Sequence, residues 1–132
     1  YGEDQINSLL DKQVDRRQKQ AGILRLDTMW VNYQHKNDFN PPHNHRGALS
    51  FVIFCKVPKK IFDEHGVVSN ASAPGKIIFS SGEQISPLST PAFQVTPDEG
   101  LIFIVPSKLT HSVPPFWADE ERISVSGNFV VV

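Results

Sequence analysis

Residues 41–56 read PPHNHRGALSFVIFCK, in which a His-x-His pair precedes an apolar run of strand length. The run at 48–56 and another at 101–105 are almost continuously apolar, which predicts strands covered on both faces. Clusters of Pro, Gly, Asn and Ser separate them from four further β-type runs, at 23–33, 76–79, 92–96 and 122–132. Many short strands bounded by turn signals predict an all-β fold, most simply a jelly roll.

The residues ahead of this β region predict one short helix. Four apolar residues recur at helical spacing with polar residues between them: Ile6, Leu9, Leu10 and Val14. Gly22 follows as a helix stop signal. Because the apolar stripe is narrow, we expect a surface helix over 1–21 that packs on the sheet of a β core spanning 23–132.

Composition limits the classes of protein that the chain can represent. At 132 residues and 14.8 kDa, the chain is long enough for one domain and too short for two ordinary ones. Thirteen basic against fourteen acidic residues give a net charge of −1, which argues against a nucleic-acid partner. The apolar runs fall far short of the roughly 20 residues that span a bilayer, so no membrane partner is expected.

The cysteine content and the start of the chain bear on location. Cys55 is the single cysteine and has no internal partner for a disulfide, and no signal peptide is recognisable. We therefore expect a cytoplasmic protein. The chain begins at Tyr1 rather than Met, which leaves open that an N-terminal segment is missing.

Three of the five histidines lie where they can bind one metal ion. His43 and His45 are two positions apart, so an extended segment points both imidazoles to the same face. His111 follows a distant predicted strand, and neutral imidazoles bind Fe, Zn, Cu and Ni alike. The alternative is an exposed His-x-His loop and a turn histidine. His35 and His65 lie in polar loops, which predicts surface positions for both.

A candidate anion site follows the third histidine. Arg122 and Ser124 are two positions apart on a predicted strand, so their side chains share a face. A guanidinium beside a hydroxyl is a carboxylate clamp, since guanidinium pairs bidentately with carboxylate. The alternative is a surface Arg122 paired with a neighbouring acid, from Asp119 to Glu121.

Four motifs in this order carry a resemblance to a known family. They are WVN at 30–32, DFNPPHNH at 38–45, PSKLTHSVPP at 106–115 and RISVSGN at 122–128. Together they resemble the Fe(II)/2-oxoglutarate-dependent oxygenases of bacteriophage and marine bacterial genomes, which are related to prolyl- and aspartyl-hydroxylase-like enzymes. The resemblance runs from about Leu26 to the C-terminus. It implies that the protein works in the cytoplasm of a bacterial or phage-infected cell.

The resemblance implies a double-stranded β-helix, the cupin-like form of the jelly roll, with Fe(II) at one mouth. His43 and His111 would bind the metal, with His45 at the third ligand position. Arg122 and Ser124 would bind the distal carboxylate of the cosubstrate 2-oxoglutarate. Such enzymes use O2, release succinate and hydroxylate an unactivated C–H bond. The substrate class implied is a peptide or protein side chain, with small molecules as the alternative.

The sequence departs from the family pattern at two places. Many relatives carry His-x-Asp where this chain has His45, so a two-histidine site is open, with Asp38 as a substitute carboxylate or as the cap of its own turn. A tyrosine that would bind the oxoacid is absent from residues 48–56. Trp30, Asn32 or Asn128 would take its place.

Two other functions remain open at this stage. One is a cupin-like metalloenzyme that does not use 2-oxoglutarate, since three-histidine sites suit that class. The other is a non-catalytic jelly-roll structural or binding module, with the loop at 61–74 and the apolar end at 129–132 as assembly surfaces. An apolar strand end is also a candidate sheet edge, so a homo-oligomer is open. The loops at 61–74 and 80–91 are expected to flank the mouth.

Overall fold

The chain folds into short antiparallel strands with one 3-10 turn, in a computed structural model that describes residues 22–62, 74–81 and 92–132. The strands are β1 Leu24–Gln34, β2 Asn40–His43, β3 Leu49–Lys56, β4 Ile77–Ser80, β5 Ala92–Val95, β6 Ile102–Pro106, β7 Thr110–Val113 and β8 Arg122–Val131. The 3-10 helix is Lys59–Phe62. In these three segments, no helix has the length and apolarity to cross a membrane. The predicted helix over 1–21, His65 and most of the two long loops lie outside the described residues.

The eight strands form two four-stranded sheets that face each other. The first sheet has the order β1-β8-β3-β6 and the second the order β2-β7-β4-β5, with every pair antiparallel. The chain crosses from one sheet to the other at most connections, as in a jelly roll. The prediction of an all-β, jelly-roll-like fold is confirmed.

Six strands match the six predicted runs, and two short strands were not predicted. β2 contains Pro41 and Pro42, residues that normally argue against a strand because proline lacks the N–H that a ladder needs. An edge strand tolerates them, and β2 is the edge of the second sheet. β7 is four residues long and was hidden in a predicted loop. These two strands carry His43 and His111.

The apolar core lies between the sheets at one end of the sandwich. Its fully buried residues include Phe54, Ile61 and Phe116, each at most 1% exposed, and Ile77 and Phe79 pack against them. β3 supplies Phe54 and β4 supplies Ile77 and Phe79 to this cluster, from the inward-facing positions of the strand alternation. The core therefore closes one end of the sandwich and leaves the other end free for a site.

One expectation about an individual strand was wrong, and a second holds in part. Residues 101–105 were expected to be covered on both faces, but β6 is an edge strand and its Ile102 and Ile104 are more than half exposed. The C-terminal run at 129–132 was a candidate sheet edge. Phe129 pairs with Leu26 on β1 and Leu49 on β3, so β8 lies inside the sheet there, whereas Val130 and Val131 have strand partners on β1 only.

A glycine allows a close contact between β8 and β3. A Cβ at Gly127 would lie 2.5 Å from two ring atoms of Phe51 and 2.6 Å from the carbonyl oxygen of Thr28. The ring of Phe51 also packs on Phe129, with centroids 5.3 Å apart. Phe51 is buried because Gly127 leaves room beneath its ring.

We expect Gly127→Ala to lower the free energy of unfolding by about 1–3 kcal/mol, because the added methyl overpacks this contact. Chemical denaturation of the single and double variants measures the effect. In a Phe51→Ala background the same substitution should cost clearly less, since the ring is gone. Additivity of the two changes within about 0.5 kcal/mol would contradict the contact.

Candidate active site

A cavity of about 560 Å³ opens between the two sheets, and part of the apolar core lines it. The first sheet contributes a polar wall, formed by Trp30, Asn32, Gln34, Arg122, Ser124 and Ser126. The opposite side carries the three candidate ligands, His43, His45 and His111. The base is apolar and includes Phe54, Phe79 and Phe103. The cavity thus joins the candidate metal site and the candidate anion site in one space.

His43 and His111 are direct cross-strand partners on β2 and β7. Their ring centroids lie 4.3 Å apart. Nδ1 of His43 lies 2.7 Å from the carbonyl oxygen of Pro41, and Nδ1 of His111 lies 3.3 Å from that of Leu109. A carbonyl only accepts, so each Nδ1 donates, and each Nε2 keeps its lone pair for a metal ion.

His45 reaches the same point from the connection between β2 and β3. Its backbone N–H donates to the carbonyl of Ser107 at 2.8 Å, and its ring lies 5.6 Å from that of Trp30. Its Nε2 is 3.3 Å from Nε2 of His111. Two imidazole nitrogens bound at right angles to one first-row metal, each at about 2.1 Å, lie about 3 Å apart.

The three imidazoles together fit a metal ion. One nitrogen from each of His43, His45 and His111 lies within 4.8 Å of the others. Burial lowers the pKa of His45 and of His111, and the neighbouring His43 lowers both further, against a hydrogen bond to Leu109 that raises the pKa of His111. Both rings are therefore held in the neutral form that binds metals.

Arg122 is the buried cation of the cavity. It is 4% exposed, and its Nη1 donates to the carbonyl oxygen of Gly75 at 2.6 Å. The guanidinium carbon lies 5.7 Å from the centroid of the Phe54 ring, which is cation–π range. Burial lowers the pKa of Arg122 to about 10, so the group stays charged at neutral pH.

The acids near Arg122 contact other side chains. Glu121 contacts His35 at 2.8 Å and Lys56 at 3.7 Å. Glu120 lies 4.0 Å from Lys60. Within residues 22–62, 74–81 and 92–132, no carboxylate pairs with Arg122. The surface alternative for this residue is therefore not observed, and the cavity holds a positive charge that lacks a counter-ion among the described residues.

A chain of polar contacts runs along β1 and β8 between the histidines and Arg122. Nε1 of Trp30 donates to Oδ1 of Asn32 at 3.1 Å. The amide nitrogen of Asn32 then donates to Ser126 at 3.0 Å and to Ser124 at 3.4 Å. These bonds fix the direction of the Asn32 amide and place the hydroxyl of Ser124 beside the cavity.

Asn128, the last predicted site residue, is not among the residues that line the cavity. Its Oδ1 accepts from Ser50 at 2.7 Å, and its amide nitrogen donates to Thr28 at 3.0 Å. Ser50 also lies 3.0 Å from the hydroxyl of Ser107, whose carbonyl receives the N–H of His45. Asn128 therefore connects β8 to β1 and β3 through hydrogen bonds, and Ser50 and Ser107 link it to the backbone of His45.

Asp38 and His35 lie in one turn at the rim. A carboxylate oxygen of Asp38 accepts the backbone N–H of His35 at 2.9 Å, and Asn37 between them has a φ of 68°. Asp38 is thus a turn cap and does not belong to the histidine cluster. His35 is exposed, as predicted.

Sequence reasoning missed several members of the cavity wall. Gln34 is buried, and its amide nitrogen donates to the carbonyls of Asp38 and Pro114. These two bonds hold the loops that contain Asp38 and Pro114 next to Gln34, the strand partner of Arg122. Ser126 extends the alternation of Arg122 and Ser124 by one more step and was therefore detectable. Gln34 had no such signal, because its partners are backbone carbonyls of distant loops.

Comparisons with known proteins agree with this geometry. A family model described as "Putative 2OG-Fe(II) oxygenase" matches residues 28–128. A solved oxidoreductase of the 2OG-Fe(II) oxygenase family from Burkholderia pseudomallei is similar in fold, with a TM-score of 0.59 and 18% identity. The match covers 83% of this chain and 46% of the Burkholderia chain, so this chain spans less than half of that protein. A search of curated proteins gives no significant match.

We expect His43→Ala and His111→Ala each to weaken Fe(II) or Co(II) binding by more than about 100-fold. Residues that only orient a ligand already contribute about 10–100-fold, and these two would be ligands. Anaerobic titration calorimetry measures the affinity. His35→Ala is the matched control, because it removes an exposed imidazole outside the cluster and should leave metal binding unchanged.

His45 is predicted to behave as a third ligand, given its 3.3 Å approach to His111. His45→Ala should therefore lose metal affinity to a similar extent. His45→Asp should retain much of it, because a carboxylate is also a ligand of such ions. Native affinity in His45→Ala would show that two histidines suffice.

Proposed function

Because this chain belongs to the 2OG-Fe(II) oxygenase family, we propose that it converts a substrate R–H, 2-oxoglutarate and O2 to R–OH, succinate and CO2. The observation that carries the proposal is the buried guanidinium of Arg122 in one cavity with three clustered histidines. A buried, unpaired charge costs several kcal/mol, so its retention in this part of the molecule favours an anionic ligand.

The residues present fit the metal that the family uses. His43, His45 and His111 would hold Fe(II). In His43 and His111 the bond from Nδ1 to a backbone carbonyl leaves Nε2 free for the metal. Three histidines leave the remaining coordination positions open to small ligands. Bound Fe(II) supplies O2 activation coupled to the oxidative decarboxylation of the oxoacid.

In this proposal Arg122 and Ser124 bind the distal carboxylate of 2-oxoglutarate. The guanidinium is held in place by the carbonyl of Gly75 and the ring of Phe54, so it is preorganised and needs no large rearrangement on binding. Asn32 orients Ser124 through its amide. In this proposal Asn32 replaces the tyrosine of other relatives, because it positions the hydroxyl of Ser124 for the carboxylate.

The apolar base of the cavity completes the arrangement. Phe54, Phe79 and Phe103 exclude water from the ion pair between Arg122 and the bound carboxylate. Exclusion of water strengthens a charged hydrogen bond. Trp30 packs against His45 and limits access to that side of the cluster. The protein thereby binds and orients the reactants and keeps water out.

The primary substrate that we propose is a peptide or protein side chain, with a small molecule as the alternative. The near-neutral chain offers no basic excess for a nucleic acid. Kinship with phage and marine bacterial enzymes of the prolyl-hydroxylase-like group remains part of this proposal, as does a cytoplasmic location. The reducing cytoplasm favours iron in its ferrous state.

One observation favours a second candidate, a cupin-like metalloenzyme that does not use 2-oxoglutarate. The third ligand position holds His45, where His-x-Asp is the pattern of many relatives. In that case Arg122 would bind the carboxylate of a different substrate. Metal binding would then persist while 2-oxoglutarate affinity would be lacking.

The decisive measurement is the binding of 2-oxoglutarate to the metal-loaded protein. Arg122→Met keeps most of the side-chain volume and removes the charge. We expect it to weaken 2-oxoglutarate binding about 10–100-fold, since a charged hydrogen-bonded contact contributes about 1.5–3 kcal/mol. Metal affinity should be unchanged. Arg46→Met, at an exposed position outside the cavity wall, is the control.

Succinate release from 2-oxoglutarate with Fe(II) and ascorbate tests turnover directly, because family enzymes can decarboxylate the oxoacid without a primary substrate. We expect release in the native protein and loss in His111→Ala and in Arg122→Met. Metal binding without any 2-oxoglutarate binding would favour the second candidate. Absence of both would leave a non-catalytic module.

A further inference from the structure

The edge strand β1 borders the cavity. In the part of the chain that the structure describes, β8 is the only strand that pairs with β1, so one side of β1 is unpaired. Residues 30–34 of β1 all line the cavity, together with His43 of β2, the edge strand of the second sheet. Because successive side chains alternate between faces, five consecutive lining residues mean that the cavity reaches the backbone of this edge.

Alternate backbone groups of β1 point away from the sheet. Ile23 and Val132 exchange both backbone hydrogen bonds, at 3.2 and 3.0 Å, so the even-numbered residues of β8 bond to β1. The even-numbered residues of β1 from 28 to 34 pair with these residues of β8. The N–H and C=O groups of Met29, Val31 and Tyr33 consequently point to the unpaired side, where a further strand would bond.

The features that protect an edge strand against pairing do not occur in this stretch. Natural sheets protect their edges with prolines, charges and bulges. β2, the other edge beside the cavity, has Pro41 and Pro42. In β1, the charged residues Arg25 and Asp27 and the register shift all lie before residue 28. The seven residues 28–34 are uncharged, contain no proline and pair regularly with β8.

We propose that an extended segment of a protein substrate pairs antiparallel with residues 28–34 of β1 and presents one side chain to the histidines. This inference rests on the proposed oxygenase function and adds to it how a peptide substrate is held. In binding of this kind, main-chain hydrogen bonds provide the affinity, and the surroundings of alternate side chains provide the specificity.

The direction of the peptide side chains follows from strand geometry. Residues directly opposite each other in an antiparallel pair share a face, so the peptide residue opposite Trp30 points inward. The ring of Trp30 lies 5.6 Å from the ring of His45, and a paired strand lies about 4.8 Å from β1. This peptide residue therefore enters the cavity beside the histidine cluster, and it is the residue to be hydroxylated.

The two neighbours of that residue contact exposed apolar side chains. Peptide positions −1 and +1 lie opposite Val31 and Met29, and their side chains point to the outer face as those two do. Met29 is 63% exposed and Val31 is 48% exposed. Because apolar and β-branched cross-strand pairs are favourable, the substrate should carry such residues on both sides of the hydroxylated one.

A second copy of the chain fits this edge less well. Two copies that pair through β1 about a two-fold axis would cover the open edge of both cavities. The histidines would then lose access from this side. A peptide instead uses that access, so the continuity of the edge with the cavity favours the peptide.

Amide hydrogen exchange of the native protein, loaded with Zn(II), tests the edge itself. We expect fast exchange at Met29, Val31 and Tyr33, and slow exchange at Trp30 and Asn32, which bond to β8. Slow exchange at residues 29, 31 and 33 in dilute protein would show that another part of the chain pairs there. Slow exchange that appears only at high protein concentration would assign the edge to a second copy. Either result would overturn the proposal.

The probe for binding is a set of capped peptides, Ac-Lys-Thr-Val-Xaa-Val-Thr-Lys-NH2, with a different coded amino acid at Xaa in each. We expect at least one peptide to bind with a Kd of about 1 mM or below and to slow exchange at residues 29, 31 and 33. N-methylation of either valine removes an N–H that points to β1, and it should weaken binding about tenfold or more. N-methylation of Xaa, whose N–H points away, should change the Kd less than about twofold. Equal effects, the reverse pattern or no binding by any peptide would overturn the proposal.

Two proline variants repeat the test from the side of the protein. Val31→Pro removes an N–H that faces the peptide and should weaken binding of the best peptide about tenfold or more. Leu24→Pro, the control, removes an N–H on the same side of β1 ahead of the register shift and should leave the Kd unchanged. Equal affinity of the two variants would contradict the proposal. Should Val31→Pro fail to fold, the N-methylated peptides decide.

Binding of 2-oxoglutarate to the native protein, measured on the same samples, separates this inference from the proposed function. Binding of 2-oxoglutarate without binding of any peptide would overturn the inference alone. Peptide binding with the expected N-methyl pattern, in a protein that does not bind 2-oxoglutarate, would support the docking edge and overturn the oxygenase function.

Discussion

The central strand β8 sets the constraint that the rest of the molecule meets. It is bonded on both sides, to β1 and β3, and its inward positions from Arg122 to Asn128 are all polar. Buried polar groups need partners, so the opposing sheet cannot close over them with apolar side chains. The sandwich is therefore sealed by aromatic residues at one end and open at the other. The cavity is the result of this division.

The polar groups of β8 are satisfied in two different ways. Toward one end, Asn128 is bound by Ser50 and Thr28, so it serves as an internal tie. Toward the other, Arg122 contacts one backbone carbonyl and one aromatic ring, and no carboxylate of the described residues pairs with it. A repeated pattern on one strand thus supplies both support and a binding group. Which role each residue takes depends on the strand opposite.

The sequence predicted the fold class and the grouping of the site, and the reasons are physical. Apolar runs of strand length, separated by turn signals, predicted six strands correctly, because those strands bury side chains in a regular alternation. Arg122 and Ser124 were correctly placed on one face by the same alternation. β2 and β7 escaped because they are short and polar, and because the prolines of β2 oppose its assignment. Sequence spacing also gave no sign that His43 and His111 are direct neighbours, since strand pairing across 67 intervening residues is a tertiary property.

Other errors came from the same limit. Continuous apolar sequence was taken to mean burial on both faces at 101–105, yet the run lies at an edge and leaves Ile102 and Ile104 exposed. An apolar run in the sequence does not specify which of its two faces a neighbouring element covers. Asn128 has the right spacing for the cavity wall, but cross-strand partners draw its amide away.

The prolines of the ligand strand have an effect beyond the site. β2 is the outer strand of its sheet, and Pro41 and Pro42 remove two N–H donors from it. An incoming strand from another molecule would find no continuous ladder there. The edge nearest the histidines is thereby protected against strand addition and amyloid-like growth. One dipeptide thus both supplies the carbonyl that orients His43 and keeps the protein from self-association along this edge.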